Sequence, residues 1–362
     1  MSRLKRRLEA EIAAGGPITI EAFMNACLHD PADGYYAVRA GERAILGAEG
    51  DFITAPLVSQ MFGELIGVWA VQVWRLMGLP TPVRLVEIGP GDGTLMSDML
   101  RAASRAAPQF LAAAEVWLVE TSAPLRQAQA QRLAASNPRW CERLDEVPAG
   151  APVIIVANEL LDCLPARQFV RDERGWAERR VGLHADGGLT FGLVPAPRGF
   201  EPPVALADSP VGTPIEVSPA QERLGAEVGA RIARDGGAAL FIDYGRASPE
   251  PGDTLQALRR HVKVAVLDTA GEADLTVHAD FPAFAAAARA AGVQTTPIRS
   301  QTEFLGALGI RARAAALVAA QPEKAALVER QLARLTAPDQ MGALFKAVCV
   351  HSPGLPIPGF ED

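Results

Sequence analysis

Residues 86–94 read Val86-Glu87-Ile88-Gly89-Pro90-Gly91-Asp92-Gly93-Thr94. The apolar run of Val83, Leu85, Val86 and Ile88 predicts a strand that feeds three glycines at alternate positions. A helix-compatible run from Thr94 to Ala103 follows. This is the layout of a nucleotide-type ligand site, because glycine lets the backbone turn tightly and lets a ligand approach where a Cβ would collide. Glu87 stands two residues before the first glycine, near the carboxyl end of the strand.

A glycine-rich turn alone does not separate NAD, FAD and S-adenosyl-L-methionine sites. The dinucleotide fingerprint is G-x-G-x-x-G, with a pyrophosphate at the helix N-terminus. Here the loop is G-x-G-x-G with Asp92 inside it, and a carboxylate is unfavourable beside a pyrophosphate. A sulfonium ligand carries a positive centre and an amino group and no phosphate, so Glu87 and Asp92 suit it better. The next strand, Val116 to Val119, ends at Glu120, an acceptor placed for two ribose hydroxyls. S-Adenosyl-L-methionine is the ligand this pattern favours over a nicotinamide or flavin, or over a plain glycine turn. Its expected contacts are Glu87, Gly89, Pro90, Gly91, Gly93, Glu120 and Thr121.

Strands and helices alternate from about residue 83, which predicts an α/β fold with a largely parallel sheet. Strands are expected at Val83–Ile88, Val116–Val119, Val153–Ala157, Ala238–Ile242, Val293–Ile298 and Leu344–His351, with a weak one within Arg139–Leu144. Helices fit 94–107, 122–135, 218–234, 281–291, 301–308 and 322–335. Between 168 and 210 the rhythm breaks into short alternating runs, read as an inserted β-meander and loop. The division expected is a helical cap with lid loops over 1–80, a core over 81–167 and 211–362, and the insertion over 168–210.

The chain is 362 residues long, 49% apolar and 21% charged, with a net charge of −7. It can bury a sizeable core, and without a basic run nucleic acid is not the first-choice partner. Four scattered cysteines lack a C-x-x-C pair and predict reduced thiols and a cytoplasmic location. The basic N-terminal segment, with Leu4, Leu8 and Ile12 at four-residue spacing, reads as a surface helix, since Glu9 and Glu11 oppose a transit peptide. No apolar run reaches the 18 or more residues that span a bilayer. The five histidines show no metal-ligand spacing, so no metal is expected, and no nucleophile elbow or Walker loop occurs.

A second informative segment is Val153-Ile154-Ile155-Val156-Ala157-Asn158-Glu159-Leu160-Leu161-Asp162. A wholly apolar strand delivers Asn158, Glu159 and Asp162 at its carboxyl end, the edge where open α/β sheets bind ligands. If a helical turn begins at 159, Glu159 and Asp162 share a face and can hold a cationic amine or guanidinium. The alternative is an Asn helix cap followed by two first-turn acids. Another apolar strand ends at Asp243-Tyr244. The loops around Tyr35-Tyr36 and Asp51 to Pro56, with Glu64 on the helix after them, pair acids with aromatics in the manner of a substrate lid. The candidate substrate contacts are therefore Tyr35, Tyr36, Asp51, Thr54, Glu64, Asp243 and Tyr244, and the candidate catalytic residues are Asn158, Glu159 and Asp162.

Taken in order, several runs resemble the MidA-type S-adenosyl-L-methionine-dependent methyltransferases. They are Gly16-Pro17-Ile18, Asp33-Gly34-Tyr35-Tyr36, Gly50 to Pro56 with Phe62-Gly63-Glu64, and the Glu87–Gly93 loop. Ala157-Asn158-Glu159 through Pro165, Asp243-Tyr244-Gly245, Asp274 to His278, and Met341-Gly342 with Leu344-Phe345-Lys346 complete them. The likeness spans roughly residues 15–350. It departs at Leu57, where the family typically carries an acid. The resemblance implies a class I methyltransferase, Rossmann-like core of about seven strands, mostly parallel with the last antiparallel. It also implies protein arginine methylation, in its mitochondrial members for assembly of respiratory complex I, and hence an arginine-bearing protein partner. Methylation of a small amine or nucleic-acid base, or a non-catalytic assembly role that only binds the cofactor, are the alternatives. The absence of an N-P-P-[YF] sequence and of a basic run weighs against the former.

Overall fold

The computed structural model describes residues 2–42, 47, 50, 51 and 53–361. The chain folds as two compact units interleaved in sequence. One comprises residues 1–52, 161–222 and 248–282, and the other 53–160, 223–247 and 283–362. The N-terminal segment and the meander, expected as separate pieces, thus fall in one unit with residues 248–282. The lid turn from Ile53 and the helix after it fall with the glycine loop.

The second unit is built on a sheet of β1 (Val83–Ile88), β2 (Ala114–Val119), β3 (Arg139–Cys141), β4 (Val153–Asn158), β5 (Gly237–Arg246), β6 (Gln294–Thr295) and β7 (Phe345–His351). Its spatial order is β6-β7-β5-β4-β1-β2-β3. β3, β2, β1, β4 and β5 run parallel, while β7 runs antiparallel beside β5. Every residue of β1 and β4 is buried. Parallel strands covered on both faces read as continuous apolar runs, which is why these were legible in the sequence. The run expected at Val293–Ile298 yields only Gln294–Thr295. Pro297 has no N–H for the ladder, and pairing to β7 resumes at Arg299–Ser300.

Register fixes the functional edge. Glu87 of β1 pairs with Val156 of β4, and Asn158 of β4 pairs with Ile242 of β5. The carboxyl ends of three adjacent strands therefore deliver the glycine turn, Asn158 and Asp243 to one edge, the ligand edge of such sheets.

Below the sheet the helix Gln60–Leu76 is capped by Ser59, whose Oγ accepts from Met61 N at 3.3 Å. It packs on the helix Thr94–Ala106 through Gly63 and Gly67. A Cβ on Gly67 would lie 2.5 Å from the Met99 carbonyl oxygen, and one on Gly63 2.5 Å from Asp98 Cβ. Trp69, Phe62, Met96 and Met99 fill the surrounding core, each worth roughly 1.5–3 kcal/mol of burial. The helix Ile310–Ala320, absent from the sequence reading, carries an Arg- and Ala-rich run with little apolar periodicity.

In the first unit the helix Arg3–Gly15 buries Leu4, Leu8 and Ile12, as their spacing predicts. The expected meander comprises Arg167–Asp172, Gly175–Leu183 and Leu189–Pro195, extended by Ile18–Thr19 and Pro214–Val217. Its buried Glu178 is compensated by Arg167 and Arg180, each at 2.7–2.8 Å. Gln256–Arg259, Val262–Val264 and Asp274–Thr276 form a small antiparallel sheet that sequence periodicity did not disclose.

Candidate active site

Three positive φ angles shape the turn after β1: +67° at Gly89, +54° at Gly91 and +82° at Gly93. L-residues pay steric strain there. A Cβ at Gly89 would also meet Leu160 Cδ1 at 2.9 Å. Gly89 N donates to Val119 O at 3.0 Å, and Gly93 N closes the turn on Pro90 O at 2.8 Å. Asp92 is held from both sides: its Oδ1 accepts from Thr94 N at 3.0 Å and its Oδ2 pairs with Arg132 at 2.8 Å. It braces the turn.

Glu87 is the more telling acid. It is 2% exposed, and its Oε2 has no hydrogen-bond partner. Burial, then the nearby Asp92 carboxylate, holds its carboxyl well above the usual range. The Met96 backbone bonds this carboxyl, and the unmet Oε2 is a costly buried acceptor suited to a cationic or N–H-bearing ligand. Glu120, also buried, accepts from Ser122 N at 2.7 Å and from Gln129 Nε2 at 3.1 Å. Desolvation raises its carboxyl as well. The Thr121 backbone also bonds this carboxylate, which with about four acceptor sites keeps capacity for a ribose hydroxyl. Thr121 beside it is exposed.

Gln129, a residue the sequence reading passed over, ties this side together. Its Nε2 donates to Gly91 O at 2.7 Å as well as to Glu120, and its Oε1 accepts from Trp140 Nε1 at 2.9 Å. No spacing rule distinguishes it from the other glutamines of the helix Ala123–Arg132.

No helix begins at 159, so the expected shared helical face of Glu159 and Asp162 does not form. Glu159 instead adopts φ +52°, and its N donates to Ile242 O at 2.9 Å. Its Oε1 accepts from Ala55 N at 2.8 Å and from Asn158 Nδ2 at 3.0 Å. Asn158 is 8% exposed and its Oδ1 has no partner. Asp162 belongs to the other unit, where it is buried and its carbonyl accepts from Val277 N at 2.9 Å.

The remaining substrate candidates divide between the units. In the first, Tyr35 donates to Asp51 at 2.7 Å, both fully buried, and Asp51 also accepts from Arg260 N at 2.8 Å. Tyr36 donates to Asp274 at 3.1 Å and stacks on His29. Burial, then Asp274, Cys163 and Asp162, hold its phenol well above the ordinary value. Phe52, from the run that carries the family resemblance, lies outside the described residues. In the second unit Thr54 precedes the short helix Ala55–Val58 without capping it through its side chain. Glu64 is paired with Arg313 at 2.7 Å and Arg101 at 3.5 Å between helices. Asp243 is buried and accepts from Tyr244 N at 2.8 Å, while the Tyr244 ring tilts against Phe345 at 5.4 Å. Among the described residues no group of three or more His, Cys, Asp or Glu could hold a metal ion, and no helix is long and apolar enough to cross a membrane.

Residues 65–298 match the family model described as "Putative S-adenosyl-L-methionine-dependent methyltransferase". The chain is 33% identical to the Drosophila melanogaster protein arginine methyltransferase NDUFAF7 homolog, mitochondrial, covering 99% of this chain and 88% of the relative. It is 33% identical to the human protein arginine methyltransferase NDUFAF7, mitochondrial, covering 94% and 81%. A Burkholderia thailandensis protein crystallised with S-adenosyl-homocysteine superposes with a TM-score of 0.84 at 29% identity, covering 99% of this chain and 92% of that one. The relatives are named as mitochondrial proteins, which overturns the cytoplasmic location expected from the cysteines. All four cysteines are buried and outside disulfides, but a thiol does not identify a compartment. With most of its length matched by that family model and near-full-length relatives at 33% identity, and with a glycine turn and two buried carboxylates at the carboxyl edge of its sheet, the chain belongs to the S-adenosyl-L-methionine-dependent methyltransferases.

Proposed function

We propose that this methyltransferase acts on a guanidinium nitrogen of an arginine in a protein substrate. The observation that carries the reading is near-full-length similarity to relatives named protein arginine methyltransferases. The orphaned buried acceptor on Asn158, at the carboxyl end of β4, supports it.

Bound S-adenosyl-L-methionine supplies a methyl group on sulfur: the C–N bond forms as the C–S bond breaks, and the electron pair leaves with sulfur. Glu87 would face the cationic part of the cofactor, Gly89, Pro90, Gly91 and Gly93 would shape the turn around it, and Glu120 with Thr121 would receive the ribose. A carboxylate ~4 Å from a cation contributes about 4 kcal/mol at an effective dielectric near 20, enough to orient the cofactor. Guanidinium is protonated at any working pH, so its attacking nitrogen gives up a proton to water and the methylated product keeps one positive charge. Holding both reactants in line contributes about 7–11 kcal/mol. Thr54, Glu64, Asp243 and Tyr244 act in this reading by shaping the elements around the substrate, while Tyr35, Tyr36 and Asp51 brace the unit they belong to. Their hydrogen bonds and ion pairs are to other parts of the protein.

Labelled S-adenosyl-L-methionine incubated with purified enzyme and lysate tests the proposal. Label on protein arginine, located by mass spectrometry, is expected. Label in RNA or DNA, or on no macromolecule, refutes it.

A further inference from the structure

We infer that Glu159 is a positioning residue that sets the amide of Asn158, so that Asn158 Oδ1 accepts an N–H of the nitrogen being methylated. The inference deepens the proposed function and rests on nitrogen as the methyl acceptor.

The orientation of the Asn158 amide follows from chemistry. A carboxylate only accepts hydrogen bonds, so the group 3.0 Å from Glu159 Oε1 must be the NH2. The flipped amide would set two oxygens against each other at that distance. Oδ1 is therefore turned away from Glu159, and it is a buried atom without a partner on a residue 8% exposed. A buried carbonyl oxygen left in that state costs free energy that an incoming N–H donor recovers. It stands at the end of β4, in register with β1 so that the residues two beyond the Glu87–Val156 pair are Gly89 and Asn158. A Cβ on Gly89 would lie 2.9 Å from Leu160 Cδ1, so the Asn158 segment packs closely on the cofactor turn.

Glu159 itself is occupied by structure. The same Oε1 that holds Asn158 also accepts from Ala55 N, the first amide of the helix Ala55–Val58, which Thr54 leaves uncapped. Holding both donors places residue 159 in the left-handed region, an unfavourable conformation for a non-glycine residue. A carboxylate so committed acts on the substrate through Asn158.

The pair is tested by exchange of its hydrogen-bonding partners, with turnover and cofactor affinity measured separately on an arginine peptide. Asn158→Ala and Glu159→Ala are expected to lower kcat roughly 10- to 100-fold while S-adenosyl-homocysteine affinity stays within about threefold. Glu159→Gln, whose amide oxygen can accept from both donors, is expected to stay within about threefold of wild type. Asn158→Asp sets two acids face to face and is expected to fail, and the double variant Asn158→Asp/Glu159→Gln to recover, since Gln donates where Glu cannot. In the cofactor-free enzyme the Asn158 side-chain amide protons should exchange slowly in wild type and Glu159→Gln, and fast in Glu159→Ala. Arginine-peptide binding to the S-adenosyl-homocysteine-loaded enzyme should weaken with Asn158→Ala, a readout that needs no turnover. Glu159→Gln as damaging as Glu159→Ala, a double variant without recovery, or unchanged peptide binding in Asn158→Ala would each overturn the inference. Label on a lysine or other amine in place of arginine would end the proposed function and leave the inference standing, and label on oxygen or carbon would end both.

Discussion

Replacing Gln129 by methionine keeps the volume of the side chain and removes three hydrogen bonds at once. Gly91 O, Glu120 Oε2 and Trp140 Nε1 each lose a partner held within 3.1 Å. Gly91 and Trp140 are half-buried, so water can reach part of what is lost, but the Glu120 carboxylate is 8% exposed. An unsatisfied buried group costs about 1–3 kcal/mol, more when charged. With partial compensation at two of the three groups, a loss of about 2–4 kcal/mol in unfolding free energy is expected. Glu120 would also lose the donor that fixes one of its oxygens, and the Gly91 carbonyl its brace. S-Adenosyl-homocysteine affinity should fall about tenfold, or about 1.4 kcal/mol. Urea unfolding followed by tryptophan fluorescence and calorimetric titration with S-adenosyl-homocysteine measure the two effects. Unfolding within about 0.5 kcal/mol of wild type, together with unchanged affinity, would show that Gln129 does not organise the turn.

Three further outcomes follow from the same geometry. Burial holds the Glu87 carboxyl well above its ordinary value of about 4.3. The folded state therefore binds that proton more tightly than the unfolded one: the associated stability is full below about pH 4.3 and is lost as pH rises through the elevated folded value. Glu87→Gln should remove that slope, raise stability at neutral pH and weaken cofactor binding. Wild-type binding should release a proton that the variant does not, as calorimetry in buffers of different ionisation heat would report. Gly67→Ala sets a Cβ 2.5 Å from the Met99 carbonyl oxygen and should destabilise by about 1–3 kcal/mol in thermal denaturation; an unchanged midpoint would contradict the close helix approach. Tyr35→Phe removes the donor 2.7 Å from buried Asp51 and should destabilise by about 1.5–3 kcal/mol in urea titration, while a neutral result would return Asp51 to the substrate contacts.

The class of cofactor and the strands that lead to its turn were legible in the residues alone. Apolar runs ending in Glu87, Glu120, Asn158 and Asp243 mark strands buried on both faces, because a polar residue is tolerated only where such a strand leaves the core. The alternate glycines mark a turn that other residues adopt only under strain. What the acids touch was set by packing between distant segments. Glu159 meets Ala55, Glu64 meets Arg313, and Asp92 meets Arg132, partners brought together by packing across long stretches of chain. Local periodicity reports which face of an element is covered and carries no record of a partner from a distant segment. A carboxylate at a strand end can serve a ligand, a helix terminus or an arginine equally well. Which of these it serves is settled by the groups folding brings within 3 Å, and by the desolvation that makes an unmet charge expensive.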